Sequence, residues 1–549
     1  MRLPAAIGSL LLLLAPVMQA QESAPIRFSE IARQSGLVFT IDNAPTPEKH
    51  MIETMAGGLA VFDYNNDGRP DVFFTNGAEN PKLEKTDPKF YNRLFRNEGN
   101  LKFTDVTAEA GVAGRGYSMG AAVADFDNDG FVDLFVAGVN RNLLYRNLGN
   151  GRFEDVTERA GIQSDLWAVA AAWLDYDRDG RLDLFITHYT KWPPATDRYC
   201  GDRARGIRVY CHPKYFDGLP NRLYRNRGDG AFEDVSRKAG LASDAGRGMS
   251  VAVGDADGDG WPDVFVTNDN MPNFLFRNRG DGTFEEVALL AGVALMDGGK
   301  PVASMGADFR DYDNDGLPDI TVAALAGETF PLFRNRGKGD FTDATYKSRL
   351  ASLTVRYGGW GPGLFDFNND GWKDLFTSNA HVNDRVEEFE PHSYRQPNTV
   401  FLNQRDGTFR DVSAGAGPEF GAAVKAHRGC GFADFDGDGR IDVVVSALGQ
   451  PAELWHNTSA DENAWLIVKL EGGKSNRDGI GATVRAGNQW NVMSTAVGYS
   501  SSSHEGVHFG FGQAEHTDLE IKWPSGVSQT LKNVALRRVL RVAESSGEK

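Results

Sequence analysis

The sequence predicts an all-β protein: a seven-bladed β-propeller closed by an N-terminal strand, followed by a small C-terminal β domain. Three observations carry this expectation. A nine-residue acidic pattern recurs seven times, each copy is flanked by short apolar runs set off by turn residues, and the 549 residues include 63 Gly with few helix-favouring runs.

The clearest copy is Asp125-Phe126-Asp127-Asn128-Asp129-Gly130-Phe131-Val132-Asp133. Four carboxylates at positions 1, 3, 5 and 9 supply hard oxygen ligands at a density that suits calcium, and the Gly at position 6 permits a sharp turn. The expected side-chain ligands are Asp63, Asn65, Asp67 and Asp71; Asp125, Asp127, Asp129 and Asp133; Asp175, Asp177, Asp179 and Asp183; Asp255, Asp257, Asp259 and Asp263. The last three loops supply Asp311, Asp313, Asp315 and Asp319; Asp366, Asn368, Asp370 and Asp374; and Asp434, Asp436, Asp438 and Asp442. The backbone carbonyl of position 7 completes each set, at Arg69, Phe131, Arg181, Trp261, Leu317, Trp372 and Arg440. Asn65 and Asn368 leave the first and sixth loops one carboxylate short, so these should bind more weakly.

A helix–loop–helix calcium hand needs Glu at position 12. Here that position is Phe74 or Val136, and an apolar strand follows at once, so these are β-hairpin loops. The bland alternative is an Asp-rich turn without metal. Each like-charged pair at ~4 Å repels by roughly 1–4 kcal/mol, and six such pairs rival the ~5–15 kcal/mol stability of a whole domain. A cation is therefore expected in most copies, up to seven Ca2+, and seven equivalent sites imply structure rather than catalysis. Much of the net charge of −17 is then metal-site chemistry. No basic stripe suggests nucleic acid.

Taking the chain in order, residues 1–20 read as a signal peptide: Arg2, an apolar run, and a cut after Ala20. A membrane anchor is the alternative, although the run is short. Phe28-Ser29-Glu30-Ile31-Ala32 resembles the last strand of a repeat. The second repeat shows the full unit: an apolar run at 119–126, the loop, a run at 134–137, then Asn142-Leu143-Leu144-Tyr145-Arg146-Asn147, a Gly-Asn-Gly turn, and Phe153-Glu154-Asp155-Val156-Thr157. Four short strands make one antiparallel sheet. Loop starts lie 62, 50, 80, 56, 55 and 68 residues apart, which is blade size. The seventh unit lacks a fourth strand, and the one at Phe28 would supply it and hide a free edge.

Parity puts the acidic loops on one face. The insertions 76–91, 188–220 and 381–397 fall on the other, where recognition is expected. Candidates there are His188, Tyr189, Trp192, Tyr199, His212, Asn268, Asp269, His381, Asn383, Asp384 and Arg395. Cys200 and Cys211 are expected to form a disulfide, two separate thiols being the alternative, and Cys430 is expected to be a small buried residue. Small residues five before each loop (Gly58, Gly120, Ala170, Ser250, Gly306, Gly361 and Gly429) suit strands converging on an axis. The residues three before each loop (Ala60, Ala122, Ala172, Ala252, Asp308, Gly363 and Gly431) are small except Asp308, which reads as a solvated channel acid.

After about residue 461 the pattern changes. The expected partition is a signal peptide at 1–20, the propeller at 21–460 and a β domain at 461–549. The acidic loops resemble the FG-GAP and VCBS repeats of integrin-like seven-bladed propellers. Asn476-Arg477-Asp478-Gly479-Ile480-Gly481-Ala482, His508-Phe509-Gly510-Phe511-Gly512 and Trp523-Pro524-Ser525-Gly526 resemble the ASPIC/UnbV module. Together they resemble the cartilage acidic protein family, which implies calcium in the propeller loops and no single activity. Two functions follow: an exported, secreted or periplasmic, monomeric binding or adhesion protein for a protein or glycan, or an enzyme acting on a glycan or small molecule at the long-loop face or axial channel.

Overall fold

A computed structural model describes residues 26–193, 198–460 and 462–546. The signal-peptide segment at 1–20 lies outside the described residues. The described residues are all-β, with helices of no more than five residues. No helix among the described residues is long and apolar enough to cross a membrane.

The chain before residue 461 forms seven four-stranded antiparallel units. The second is Ser118–Ala124, Asp133–Gly138, Leu143–Asn147 and Phe153–Asp155. Its first two strands are buried along their whole length, whereas the last alternates buried Phe153 with exposed Glu154 and Asp155. That gradient explains why the inner strands read as continuous runs of small and apolar residues: both faces are covered. The seventh unit consists of His427–Ala433, Asp442–Ala447 and Glu453–Asn457, with Phe28–Glu30 as its outer strand. Phe28 lies opposite Asn457 and Glu30 opposite Trp455, antiparallel. The first strand of each unit touches that of the next, and Leu59–Phe62 of the first touches both Ser118–Ala124 and His427–Ala433.

The axis is not a water-filled channel, as the sequence suggests. It is filled by residues 496–503, sent inward from the C-terminal segment. Ser501–Ser503 pairs parallel with Leu59–Phe62, Ser502 opposite Ala60. Gly498 exchanges backbone hydrogen bonds with Ala307 at 2.9 and 3.2 Å, and Ser250 Oγ donates to its carbonyl at 2.5 Å. The small residues facing the axis make room for this plug. A Cβ on Gly58 would sit 2.2 Å from the Ser500 carbonyl oxygen, and one on Gly429 would sit 2.5 Å from Ser501 Oγ.

Asp308 is likewise not a solvated acid. It is 2% exposed, pairs with Arg310 at 3.1 Å and accepts the Leu364 N–H at 2.8 Å. Cys430 is buried, and its Sγ donates to the Gly361 carbonyl at 3.2 Å.

The remaining C-terminal strands form two small sheets. Ala464–Glu471 lies between Val507–Gly512 and Arg538–Ala543. Thr483–Ala486 lies between Gln489–Val492 and His516–Lys522, which pairs in turn with Ser528–Ala535.

Candidate functional site

Each acidic loop closes the turn between the first and second strands of its unit, and its geometry follows from backbone donors meeting carboxylates. In the second loop, Asp125 Oδ1 accepts the Asp129 N–H at 3.0 Å and Oδ2 accepts the Gly130 N–H at 2.7 Å. Asp133 accepts the Phe126 N–H at 3.0 Å and, from the third strand, the Asn147 N–H at 2.7 Å. Position 6 needs a left-handed backbone, φ +92° at Gly130, which Gly adopts without strain.

The carboxylates converge. One ligand atom from each of Asp125, Asp127 and Asp133 lies within 4.8 Å of the others, as in Asp175, Asp177 and Asp183; Asp255, Asp257 and Asp259; and Asp311, Asp313 and Asp315. Asp127, Asp177 and Asp313 each turn one buried Oδ1 with no hydrogen-bond partner toward such a cluster. Burial and neighbouring carboxylates push other acids of these loops toward their protonated forms. Asp125 rises to about 8, through burial and then the charge of Asp478; Asp434 also reaches about 8, through burial and Glu505; and Asp175 reaches about 7, mainly through burial. Buried oxygen acceptors left without donors, beside carboxyls that resist ionising, are the donor set a hard divalent cation satisfies. The residues fit calcium.

Arginines missed by the sequence reading share this charge. Arg146 pairs with Asp127 at 2.5 Å and Asp129 at 2.7 Å. Arg225 pairs with Asp177 at 2.6 Å and Asp179 at 3.1 Å, and Arg334 with Asp313 at 2.6 Å and Asp315 at 2.9 Å. They take the outer Oδ2 atoms, so the repulsion counted from sequence is partly relieved without metal. The fourth loop has no such pair among the described residues, because Arg277 turns to Glu285 at 2.7 Å. In the seventh unit His456 stands in the Arg place and joins Asp436 and Asp442 in one cluster. The third-strand Arg, replaced by His at 456, was the available signal.

The last Asn of each third strand was also missed. Asn147 Nδ2 donates to the Tyr64 carbonyl in the preceding loop at 2.8 Å. Asn226 reaches Phe126, Asn278 reaches Tyr176, Asn335 reaches Ala256, Asn403 reaches Tyr312 and Asn457 reaches Phe367. Asn97 of the first unit reaches Phe435 of the seventh at 2.9 Å. The acidic loops are therefore latched from unit to unit.

On the opposite face most candidates are structural. His188 is fully buried, which lowers its pKa to about 3. Tyr189 OH donates to Asp269 at 2.6 Å inside the core. Trp192 packs edge-on to Trp167 and His50, Asn268 Nδ2 donates to the Pro272 carbonyl at 2.8 Å, and Asp384 pairs with Lys49 at 2.6 Å. His381 is buried, its pKa lowered to about 4 chiefly by burial, and its Nδ1 accepts the Asn383 N–H at 3.0 Å. Both ring nitrogens of His188 and Nε2 of His381 are buried without a hydrogen-bond partner, so among the described residues neither ring is paired with an acid. Tyr199, His212 and Arg395 keep solvent contact.

Cys200 and Cys211 are joined, closing the hairpin of Cys200–Asp202 and Ile207–Val209. Arg203 lies 4.6 Å over the Tyr199 ring and Arg198 lies 4.3 Å over that of Tyr215, which is 45% exposed.

Comparison with known proteins adds the following. Residues 63–136, 125–186, 214–266, 255–322, 311–377 and 392–445 match the FG-GAP-like repeat, and residues 472–549 match ASPIC and UnbV. Cartilage acidic protein 1 of Xenopus tropicalis is 30% identical over 318 residues, 55% of this chain and 45% of that protein. The Homo sapiens protein is 28% identical over 330 residues, 58% and 47% of the two chains. The chain spans about half the length of the curated relatives it matches. Among solved structures, an Agrocybe aegerita lectin recognising non-reducing terminal N-acetylglucosamine is 18% identical, with 72% of this chain and 93% of that one covered and a TM-score of 0.37. YCF48 bound to D1 peptide is 8% identical, with 80% and 96% covered and a TM-score of 0.41.

Proposed function

Because the chain belongs to the FG-GAP-like repeat family and carries an ASPIC and UnbV module, we propose that it is an exported, calcium-stabilised binding protein. In this reading the seven units close into a seven-bladed propeller spanning 21–460, and the module spans 461–549. The Asn latches support the closure, since they run from each unit to the one before it and from the first to the seventh. Calcium occupies the acidic loops and is structural. Its ligands are the carboxylates and Asn side chains at positions 1, 3, 5 and 9. The disulfide fits an oxidising compartment outside the cytoplasm.

The partner is a protein or glycan, met on the long-loop face. The observation that carries this is the disulfide-closed hairpin with its stacked Arg203–Tyr199 and Arg198–Tyr215 pairs, on a chain whose net charge is −17. Arg and Tyr at an exposed tip are the residue types that dominate binding hot spots. A glycan and protein binding screen, run with and without calcium, tests it. Binding that Tyr215→Ala and Arg203→Ala weaken is expected. Partners indifferent to both substitutions would place recognition elsewhere.

A further inference from the structure

The C-terminal segment covers the acidic-loop face unevenly. Asp478 Oδ2 accepts the Asp125 N–H of the second loop at 2.7 Å. Gly512 donates its N–H to the Asn369 carbonyl of the sixth at 2.9 Å, and His508 Nε2 lies 3.2 Å from the Gly439 carbonyl of the seventh. Between it and the third, fourth and fifth loops lies a cavity of about 410 Å3, within the usual range for a small-ligand site.

Two cations line this cleft with no carboxylate of their own among the described residues. Arg178, on the propeller side, lies 4.2 Å over the Trp261 ring; its Nε is buried with no hydrogen-bond partner. Lys522, exposed on the other wall, sits 5.9 Å over the Trp490 ring. Asn491, which also lines the cavity, is 5% exposed. Its Nδ2 donates to the His508 carbonyl at 2.9 Å, and its Oδ1 has no partner. The other charged groups facing the space are Arg310, held by Asp308, and the loop acids Asp175, Asp255, Asp259 and Asp311.

We propose that this cleft binds an acidic oligosaccharide. Its carboxylate pairs with Arg178 and Lys522, a hydroxyl donates to Asn491 Oδ1, and a sugar ring lies against Trp490. Aromatic side chains with a few placed polar groups are what such a site needs. An acidic peptide offers the same charge but no pyranose ring for the indole. The inference rests on divalent ions in these three loops, which offset part of the charge of their twelve carboxylates. It adds a second site on the face opposite the hairpin.

The test uses the full chain in calcium, with tryptophan fluorescence and calorimetry. The probes are a hexuronate tetrasaccharide, its carboxyl-reduced neutral form and a tetraglutamate peptide. Saturable binding of the uronate is expected. It should fall about tenfold in Lys522→Ala and in Arg178→Gln, the loss of one charge-assisted hydrogen bond. It should fall similarly in Trp490→Ala, stay unchanged in Tyr215→Ala, and be about tenfold weaker for the neutral sugar. Equal binding of the neutral sugar, tighter binding of the peptide, or indifference to Lys522→Ala would each overturn the assignment. Melts of the same samples separate the premises. A calcium-dependent melt with no uronate binding removes the cleft site alone, and a melt indifferent to calcium removes the metal and the cleft together.

Discussion

The two faces of the molecule are built on different principles. The acidic-loop face repeats one solution seven times: a carboxylate receives the backbone of its own turn, and an Asn from the third strand reaches the preceding loop. The long-loop face is assembled once, from three insertions that each pack in their own way. Periodic geometry makes a face whose parts depend on one another. Singular insertions make a face where most side chains serve their own loop and a few are free to meet a partner. Position 9 of an acidic loop and the tip of the disulfide hairpin should therefore respond very differently to substitution.

The largest effect is expected at position 9. Asp133→Ala removes the acceptor for two buried N–H groups, Phe126 and Asn147, each costing about 1–3 kcal/mol, and also removes a proposed metal ligand. Denaturant unfolding in calcium should show a loss of several kcal/mol; a loss below about 1 kcal/mol would break the contrast between the faces. Gly439→Ala comes next. Gly439 has φ +85°, and an added Cβ would meet the Trp465 indole at 1.9 Å. Hydrogen exchange should report faster opening of 464–471, 507–512 and the seventh acidic loop, with the other six units little changed. The latch follows: Asn147→Ala should cost about 1–3 kcal/mol, because the Tyr64 and Val132 carbonyls lose their donor. On the other face, His212→Ala should stay within about 0.5 kcal/mol of the parent, since His212 is exposed and its ring serves only the Lys214 N–H.

Much of the repeating face was legible in the sequence, because nine residues carry the whole loop and the third-strand motif recurs in frame. The pairing of Phe28–Glu30 with Glu453–Asn457 could be read for the same reason: a repeat with a missing strand points to a surplus one. What could not be read depends on contacts between distant segments. Nothing local to residues 496–503 says that they enter the axis, and the small residues at Gly58 and Gly429 look the same whether they face water or a plug. Asp308 was misread for that reason. His188, Tyr189 and Asp269 looked like surface chemistry because they border an insertion, yet the insertion folds back over them.

The carboxylates also predict how the faces respond to pH. Asp125 and Asp434 have folded values near 8 and Asp175 near 7, all above the ordinary 3.8. A raised folded pKa contributes stability that is fully present below the unfolded value and is lost as pH rises through the folded one. Metal-free protein should thus be most stable near pH 4 and weaken steadily toward pH 8. Glu453, across the molecule, runs the other way. Burial raises its pKa, but His427 and Lys425 more than offset this and hold it at about 2. Its contribution is present above about pH 4.5 and is lost as pH falls toward 2. Glu453→Gln should flatten only the acid limb.

Whether divalent ions hold the acidic loops is decided by a thermal melt at pH 7.5 in excess calcium and in excess chelator. The melting temperature should be lower by tens of degrees in chelator and restored by added calcium, with magnesium restoring less. Superimposable melts in calcium and chelator would contradict this.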